Sequence, residues 1–348
     1  MRNTKAIVRV SLLIGVNLIV AFALVEGVLL LFLHVPAITA VSPGPVRRLM
    51  QQVYRHFARG LIQFDSNCAR YDPEVTYTLR PGSCTFASLE FTSELAVNRL
   101  GLRDADEALD QPEVIVVGDS HAMGWGVGQD ETFPRVLAAR AGLRVLNAAV
   151  SSYGTVRAMK VLDRTDTSRL GWLIVQYSDN DVIENRSFRD HDNRLPITPQ
   201  AEYETVVGYY RSQRSYYAGK YVFRLVMKLT RLETPEPVDQ AAGPVPPTEE
   251  AGLFLNALLH ASRTKLDRLR LLVLEVSQDF GHPRVFIPAL AGESRRPGYP
   301  PVVRELRTVD TTTLLSSDDF YVLDDHMRAS GHRKIGEALA AIVRASGR

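Results

Sequence analysis

The stretch that most constrains the fold of this chain is the apolar run Val114-Ile-Val-Val117, which leads directly into Gly118-Asp-Ser120. A short run of consecutive β-branched residues predicts a strand that is buried on both faces of a parallel sheet. The three residues that follow end the strand and turn the chain. Because ligands of open α/β sheets bind just beyond the carboxyl ends of the strands, Ser120 stands where functional side chains are found. Taken alone, it is either a helix N-cap or a nucleophile.

Beyond Gln111 the chain repeats a pattern of strand, loop and helix. Further strands are predicted in Arg144–Val150, Trp172–Tyr177, Leu269–Val276 and Phe320–Leu323, and helices in Thr132–Ala141, from about Thr155, and in Ser330–Ala345. Strands that alternate with helices form a parallel sheet with helices on both faces. The sequence therefore predicts an α/β fold with a doubly wound, five-stranded parallel sheet of the flavodoxin-like type.

Residues with suitable chemistry follow four of the predicted strands. Ser120 follows the first strand, Gly154 the second, Asn180 the third, and Asp324 and His326 the fifth. A serine hydroxyl is a weak nucleophile that needs a base such as His326, and the base needs a carboxylate such as Asp324 to orient it. The tetrahedral oxyanion needs fixed donors, which the backbone N–H groups of Ser120 and Gly154 and the amide of Asn180 would supply. This set predicts acyl-transfer chemistry.

From about Asn98 onward the chain resembles the SGNH hydrolase superfamily, also called GDSL-like esterases. The resemblance is carried by Gly118-Asp-Ser-His121, Gly154, Asn180 and Asp324-Asp-His326, and it implies that Ser120 is the nucleophile. Two other segments, Val97–Arg103 and Trp125–Phe133, look like those of a membrane-anchored bacterial subgroup. The resemblance implies an SGNH hydrolase fold and an esterase or a related acyltransferase.

The sequence departs from the family pattern at two positions. Ser178 stands where the third block usually has glycine, which would narrow the pocket or add a donor. The family's acid usually stands three residues before the histidine, where this chain has Leu323. Asp324, two residues before His326, matches a variant of the motif and is the predicted acid. Asp325 is the alternative, although its side chain would point the other way in an extended segment.

Three other polar residues near these blocks have less direct interpretations. His121 either faces the substrate or acts as a structural donor. His332 is expected at the start of the last helix rather than as the base. Arg157 is expected to be a solvated helix residue, with binding of an anionic substrate as the alternative.

The N-terminus imposes a second constraint, because Val10–Leu33 is almost wholly apolar. As a helix, these residues would extend about 36 Å, enough to cross a bilayer core of about 30 Å. Arg2, Lys5 and Arg9 precede the run and favour a cytoplasmic N-terminus. A signal peptide cleaved after Ala40 is the alternative, but the run is long for one, so an uncleaved anchor is predicted.

Glu26 lies inside this apolar run. A carboxyl at such a position marks a partner helix or a proton path, or it stays protonated or reaches the membrane surface. The sequence favours a carboxyl that stays protonated or reaches the membrane surface near the outer end of the helix.

Cys68 and Cys84 are 16 residues apart, with the turn signals Asp72-Pro73 and Pro81-Gly82 between them. This spacing suits a disulfide that closes a small loop, and two free buried thiols are the alternative. With a membrane segment upstream, an oxidising compartment is expected, which places the body in the periplasm or outside the cell.

Residues 182–266 form a long insert between the third and fourth strands. It contains basic residues interleaved with six tyrosines, Tyr203, Tyr209, Tyr210, Tyr216, Tyr217 and Tyr221. We predict a pair of amphipathic helices packed on the body, with contact to sugar rings or lipid headgroups as the alternative. The segment Glu233–Glu249, rich in proline and glycine, is predicted to be a loop.

The predicted organisation is a membrane anchor (1–36), a stalk with the disulfide-closed loop (37–95) and an SGNH hydrolase domain (96–348). A formal net charge of +2 gives no reason to expect a nucleic-acid partner. No His-Glu-x-x-His, Cys-x-x-Cys or phosphate-loop pattern is present, so neither a metal nor a cofactor is expected.

The predicted function is a serine-dependent ester hydrolase that acts on an O-acylated envelope glycan or lipid through an acyl-enzyme. An O-acyltransferase that passes the acyl group to a sugar hydroxyl is the first alternative. A non-catalytic glycan-binding subunit of an export apparatus is the second. Expected partners are therefore the acylated substrate and the membrane, with envelope polysaccharide machinery as a further candidate.

Overall fold

The computed structural model describes residues 2–230 and 245–346 of the chain. The chain divides into two compact units. The larger unit comprises Gly60–Tyr210, Asp239–Tyr321 and Asp325–Arg348, and the smaller unit comprises Met1–Arg59, Arg211–Val238 and Val322–Asp324. The predicted anchor falls in the smaller unit, and the disulfide-closed region falls in the larger one.

Nine strands lie in the described part of the larger unit. They are β1 (Ala69–Asp72), β2 (Thr76–Leu79), β3 (Gly82–Ala87), β4 (Thr92–Val97), β5 (Val114–Val117), β6 (Val145–Asn147), β7 (Trp172–Tyr177), β8 (Arg270–Glu275) and β9 (Arg307–Val309). The last five form a parallel sheet in the order β6-β5-β7-β8-β9, and β1-β2 and β3-β4 are antiparallel pairs. This sheet order is that of flavodoxin-like folds, so the predicted fold class is confirmed.

The sheet forms the centre of the larger unit because its strands are apolar on both faces. Every residue of β5 and β7 is buried. The surrounding helices are Phe133–Ala141, Thr155–Lys160, Asp181–Asp190, Pro247–His260, Gly281–Ser294 and Ala329–Ala345. Phe133–Ala141 packs on Ala329–Ala345, while Pro247–His260 packs on Gly281–Ser294 and Asp181–Asp190. The carboxyl ends of the five strands therefore meet at one edge that is held by packed helices.

The predicted fifth strand, Phe320–Leu323, is wrong. The fifth strand is β9, and Phe320 forms only an isolated bridge with Met327. Phe320 and Leu323 are buried at 1% and 0% exposure, so their apolar pattern reflects packing rather than sheet pairing. The actual strand is three residues long, too short to give a periodic signal.

Cys68 and Cys84 form a disulfide with their Cα atoms 5.4 Å apart, as predicted. The bond joins the residue before β1 to the third residue of β3. Replacing both cysteines by serine is expected to lower the free energy of unfolding by about 3 kcal/mol, because a closed loop of this length loses less entropy on folding. Urea unfolding of wild type and variant measures the difference, and an unchanged midpoint would contradict the expectation.

The first part of the insert contains two helices, Gln200–Arg214 and Lys220–Leu229, as predicted. The second of them belongs to the smaller unit and packs on helix Arg2–His34, whereas a pair packed on the body was expected. Of the predicted loop Glu233–Glu249, residues 233–244 lie outside the described part of the chain. Its last residues are not a loop, because helix Pro247–His260 begins there. Proline is favoured in the first helical turn, where its missing N–H costs nothing.

The smaller unit is organised around helix Arg2–His34. Within it, Ile7–His34 is the one helix of the described residues that is long and apolar enough to cross a membrane. The other described elements of this unit are Pro36–Val41, Gly44–Val53, the turn Tyr54–Ala58 and Lys220–Leu229. Glu26 is only 5% exposed and accepts hydrogen bonds from the segment that begins Lys220–Leu229, so it contacts a partner helix instead of reaching the surface.

Candidate active site

The turn between β5 and Ser120 has a shape that only glycine allows. Gly118 has a φ of 150°, and a Cβ there would lie 2.7 to 2.9 Å from side-chain and backbone atoms of Gln176. Ser120 then begins the short helix Ser120–Met123. The tight turn therefore presents the serine at the carboxyl edge of the sheet.

Gln176, on the neighbouring strand β7, holds this turn in place. Its side-chain oxygen accepts hydrogen bonds from the backbone N–H groups of Asp119 and Ala122, each 3.1 Å long. The Asp119 carboxylate accepts from the His121 backbone N–H at 2.8 Å. The sequence prediction missed Gln176, although a polar residue inside an otherwise apolar buried strand was a signal for such a role.

The structure brings Ser120 and His326 into direct contact. The serine Oγ lies 2.7 Å from His326 Nε2, within the range of a strong hydrogen bond. Both side chains are largely buried, with 8% and 4% of their surface exposed. A hydroxyl and an imidazole at this distance can exchange a proton without further movement.

The imidazole of His326 is held by aromatic packing. Its ring stacks on Trp125 at 4.8 Å with an interplanar angle of 19°. The loop that carries Trp125 is in turn held by the buried Arg103, which donates to the carbonyl oxygens of Gly124 and Val127. This support explains why Arg103 is only 1% exposed despite its charge, a role that the sequence did not show. The ring of His121 also lies 4.7 Å from that of His326.

Two carboxylates compete for the role of the orienting acid. Asp325 Oδ1 lies 3.2 Å from His326 Nδ1, and the Asp325 side chain is 31% exposed. The expectation that Asp325 points away is therefore wrong, because residues 322–324 form a bend rather than an extended strand whose side chains alternate. Asp324 is completely buried, and Tyr54 donates a hydrogen bond of 2.7 Å to its Oδ2. Tyr54, like Gln176 and Arg103, is a residue whose role the sequence did not show.

The predicted oxyanion donors follow three adjacent strands. Ser120 follows β5, Gly154 follows β6 and Asn180 follows β7, so all three lie at the same edge of the sheet. Among the described residues, the backbone N–H groups of Ser120 and Gly154 and the amide of Asn180 have no hydrogen-bond partner. Donors left without partners are what a developing oxyanion requires.

A buried contact joins the two loops that carry Gly154 and Asn180. The hydroxyl of Thr155 donates to Asp181 Oδ2 at 2.9 Å. Burial raises the pKa of Asp181 well above its usual range. The contact with Thr155 thus links the two loops through a buried hydrogen bond.

Arg157 is not the solvated residue that the sequence suggested. Its side chain is 20% exposed and forms an ion pair with Glu184. Its guanidinium lies 5.3 and 5.4 Å from the ring centres of Tyr77 and Tyr153, so cation–π contacts fix it from the other side. Because Glu184 also accepts the Arg157 backbone N–H at 2.9 Å, it fixes the helix that starts after Gly154.

We expect Gly154→Ala to lower turnover while leaving the protein folded. A Cβ at this position would lie 2.8 Å from three atoms of Glu184, so the loop would have to move. Steady-state kinetics on a soluble ester measures the effect. Gly292→Ala, in a helix where a Cβ meets nothing within 4 Å, is the matched control. Equal turnover of the two variants would show that the position of Gly154 is unimportant.

Two other residues singled out in the sequence have structural contacts. His332 is 1% exposed, and its Nδ1 accepts the Phe133 backbone N–H at 3.2 Å. Burial holds its pKa well below the usual range, so the ring is neutral and joins two helices. Ser178 accepts a hydrogen bond of 2.9 Å from Gln176 Nε2. Its hydroxyl therefore supports the glutamine that holds the turn before Ser120.

A second cluster of titratable groups lies beyond the carboxyl end of β8. His282 contacts Glu275 through Nδ1 and Glu250 through Nε2, the latter at 3.1 Å. Tyr177 donates to the other oxygen of Glu250 at 2.6 Å. Burial by itself would lower the pKa of His282, but hydrogen bonds to the two carboxylates outweigh it and raise the pKa to about 10. A protonated histidine thus compensates two buried carboxylates.

His282→Leu is expected to destabilise the protein by up to about 3–5 kcal/mol, because it leaves the buried carboxylates without their cation. The folded pKa of His282 is raised, so its stabilising contribution is complete below the free value of 6.5 and is lost as the pH rises through about 10. Urea unfolding at mildly acidic and strongly alkaline pH measures this. A gap between wild type and variant that does not shrink at high pH would contradict the assignment.

The parallel α/β sheet agrees with the fold that the resemblance to SGNH hydrolases implied, and Ser120 and His326 of its sequence blocks meet at the carboxyl edge. No protein-family model and no curated protein matches the sequence.

Solved structures similar to the chain include three bacterial proteins. An inhibitor-bound aryl esterase of M. smegmatis is 13% identical, with 67% of this chain and 98% of that one covered and a TM-score of 0.38. A protein ascribed to the G-D-S-L lipolytic family, from Desulfitobacterium hafniense, is 12% identical, with 66% and 98% covered and a TM-score of 0.34. The carbohydrate acetylesterase Est24 of Sinorhizobium meliloti is 13% identical, with 67% and 98% covered and a TM-score of 0.34. Similarities of this size do not establish an activity, so the function depends on the residues described above.

Proposed function

We propose that the chain is a membrane-anchored serine ester hydrolase that acts on an O-acyl group of an envelope glycan or lipid. The observation that carries the proposal is the distance of 2.7 Å between Ser120 Oγ and His326 Nε2 at the carboxyl edge of the sheet. A binding protein has no use for a nucleophile next to a base, so the arrangement favours catalysis over a purely glycan-binding role.

The reaction follows from the positions of these groups. Ser120 Oγ attacks the acyl carbonyl carbon while its proton passes to His326 Nε2. The carbonyl oxygen becomes an oxyanion that the N–H groups of Ser120 and Gly154 and the amide of Asn180 stabilise. Collapse expels the alcohol, which takes the proton from His326 and leaves the acyl group on the serine. A water molecule then attacks this ester with His326 as base, releasing the acid and restoring the serine.

The proposed location of the substrate rests on the anchor and the disulfide. Leu29 and Leu33 in helix Arg2–His34 are only 5% and 0% exposed, so the helix is packed into the smaller unit rather than joined to it loosely. This packing favours an anchor that is retained over a signal peptide that is removed. The Cys68–Cys84 disulfide favours an oxidising compartment, so the proposed substrates are acylated glycans or lipids on the outer side of the membrane.

The test is labelling of the purified full chain with a fluorophosphonate, followed by mass spectrometry of the labelled peptide. The proposal expects label on Ser120 and hydrolysis of a simple acetyl ester. Acetylated glycans and unacetylated sugar acceptors, supplied together, then show whether water or a sugar hydroxyl takes the acyl group. Folded protein that neither labels nor cleaves any ester would refute the proposed function.

A further inference from the structure

Helix Lys220–Leu229 of the insert docks on the N-terminal helix through a buried carboxylate. Glu26 accepts hydrogen bonds from the backbone N–H groups of Val222 at 2.9 Å and Tyr221 at 3.3 Å. The Tyr216 hydroxyl also donates to it, at 3.1 Å. The N–H groups in the first turn of a helix have no partner within that helix. Glu26, on the N-terminal helix, therefore caps helix Lys220–Leu229, which is called the second helix below.

The same contact is closely packed. Gly219 directly precedes the second helix, and a Cβ at this position would overlap the ring of Phe22. Glu26 is 5% exposed, whereas Leu18 and Leu24 on the same N-terminal helix are 65% exposed. The two helices therefore touch along a defined stretch, while Leu18 and Leu24 of the N-terminal helix stay uncovered.

The position of Glu26 along the apolar run sets the depth of this contact. Glu26 lies 16 residues after Val10, the first residue of the run, which is about 24 Å along a helix. The charged residues Lys5 and Arg9 precede the run, and the hydrocarbon core of a bilayer is about 30 Å thick. A carboxylate 24 Å into a core of this thickness is still inside it. The start of Lys220–Leu229, which is hydrogen-bonded to Glu26, lies at the same depth.

The second helix exposes apolar side chains at this depth. Phe223 and Val226, three residues apart and thus on one face, are 52% and 49% exposed. Tyr216 and Tyr217, just before the helix, are 50% and 48% exposed, and tyrosine is enriched where membranes meet water. Acyl chains are the surroundings that these side chains fit.

We propose that Lys220–Leu229 is a second membrane-contacting element, which inserts Phe223 and Val226 among the acyl chains of one leaflet. The inference rests on the anchor in the proposed function. Ten residues extend about 15 Å, too short to cross the bilayer, so the helix stays in the leaflet at the carboxyl end of the anchor. An unpaired backbone N–H is costly in hydrocarbon, and Glu26 removes that cost by capping the helix. Glu26 thus serves as a cap and not as a proton path.

The test uses the full chain in vesicles of phosphatidylethanolamine and phosphatidylglycerol, with a nitroxide spin label on a single introduced cysteine. The two native cysteines are paired and leave no free thiol. Val226→Cys is compared with Val285→Cys, a valine of equal exposure, 49%, in the larger unit, and with Leu18→Cys in the anchor. Labels at Val226 and Leu18 should collide readily with oxygen, which dissolves in the bilayer. They should meet a water-soluble nickel chelate several-fold less often than the label at Val285.

Each other result has a distinct meaning. A Val226 label as accessible to nickel as the Val285 label, with Leu18 protected, overturns the inference while the anchor stands. A Leu18 label open to nickel refutes the anchor and the inference with it. A Val226 label closed to both oxygen and nickel shows contact with protein instead of lipid, which also overturns the inference.

The role of Glu26 is tested on the same Val226 label. Glu26→Leu removes the cap and should raise the nickel accessibility several-fold, whereas Glu26→Gln keeps an acceptor and should leave it near the wild-type value. Turnover of a soluble ester by both variants shows that the catalytic unit is intact. Equal nickel accessibility of the Val226 label in the Glu26→Leu and Glu26→Gln variants would refute the capping role.

Discussion

Ser120→Ala is expected to lower ester turnover by roughly four to six orders of magnitude without unfolding the protein. The serine is the first residue of a short helix whose turn is fixed by Gly118 and by hydrogen bonds from the backbone to Gln176, none of which involves the hydroxyl. Loss of the Oγ atom therefore removes the nucleophile and little else. Turnover of a soluble acetyl ester, together with a thermal unfolding curve, measures both effects.

Ser277→Ala is the matched control for this prediction. Ser277 follows β8 at the same edge of the sheet, but its hydroxyl donates to Asp279 at 2.9 Å. The control variant should turn over ester at nearly the wild-type rate. Turnover by folded Ser120→Ala that equals that of the control would show that the serine–histidine contact is not catalytic.

The second large effect is expected at the acid that orients His326. We propose that Asp324 has this role, because a completely buried carboxylate held by Tyr54 acts in a low dielectric, where it is strongest. Asp324→Asn should lower turnover roughly 10⁴-fold by favouring the wrong imidazole tautomer. Asp325→Asn should cost about fivefold or less, since a partly exposed pair contributes about 1 kcal/mol at most.

The pH dependence of turnover separates an electrostatic role from a structural one. His326 must be neutral to accept the serine proton, so the rate falls on acidification; a free imidazole titrates near about 6.5. A carboxylate partner stabilises the imidazolium, so removing the true acid should move this fall to lower pH. The opposite result is a large loss of turnover and a shifted pH profile in Asp325→Asn, with Asp324→Asn near normal. That result would identify Asp325 as the acid, since its Oδ1 lies 3.2 Å from His326 Nδ1.

Local patterns in the sequence predicted the strands that carry most of the site. The positions of β5 and β7 follow from continuous apolar runs, which form wherever a sheet is covered on both faces. The parallel direction of the strands and the positions of Ser120, Gly154 and Asn180 at their ends follow from the alternation of strands and helices. The candidate site residues could therefore be named before any distance between them was known.

The sequence could not show which residues support that site, because their roles depend on contacts between distant parts of the chain. Gln176 is 57 residues from Asp119, whose backbone it holds, and Tyr54 is 270 residues from Asp324. The predicted strand Phe320–Leu323 failed for a related reason, since burial by packing produces the same apolar pattern as burial in a sheet.

The sequence by itself determined the class of fold, the apolar N-terminal helix, the spacing of the two cysteines and the chemical types of the residues at the strand ends. These properties follow from short-range periodicity and side-chain chemistry, which the order of residues states directly. Only the tertiary structure decided that Ser120 meets His326, that Asp325 turns toward the imidazole, and that Glu26 caps a helix almost 200 residues away. Such contacts depend on how the elements pack, and packing is a property of the whole folded chain.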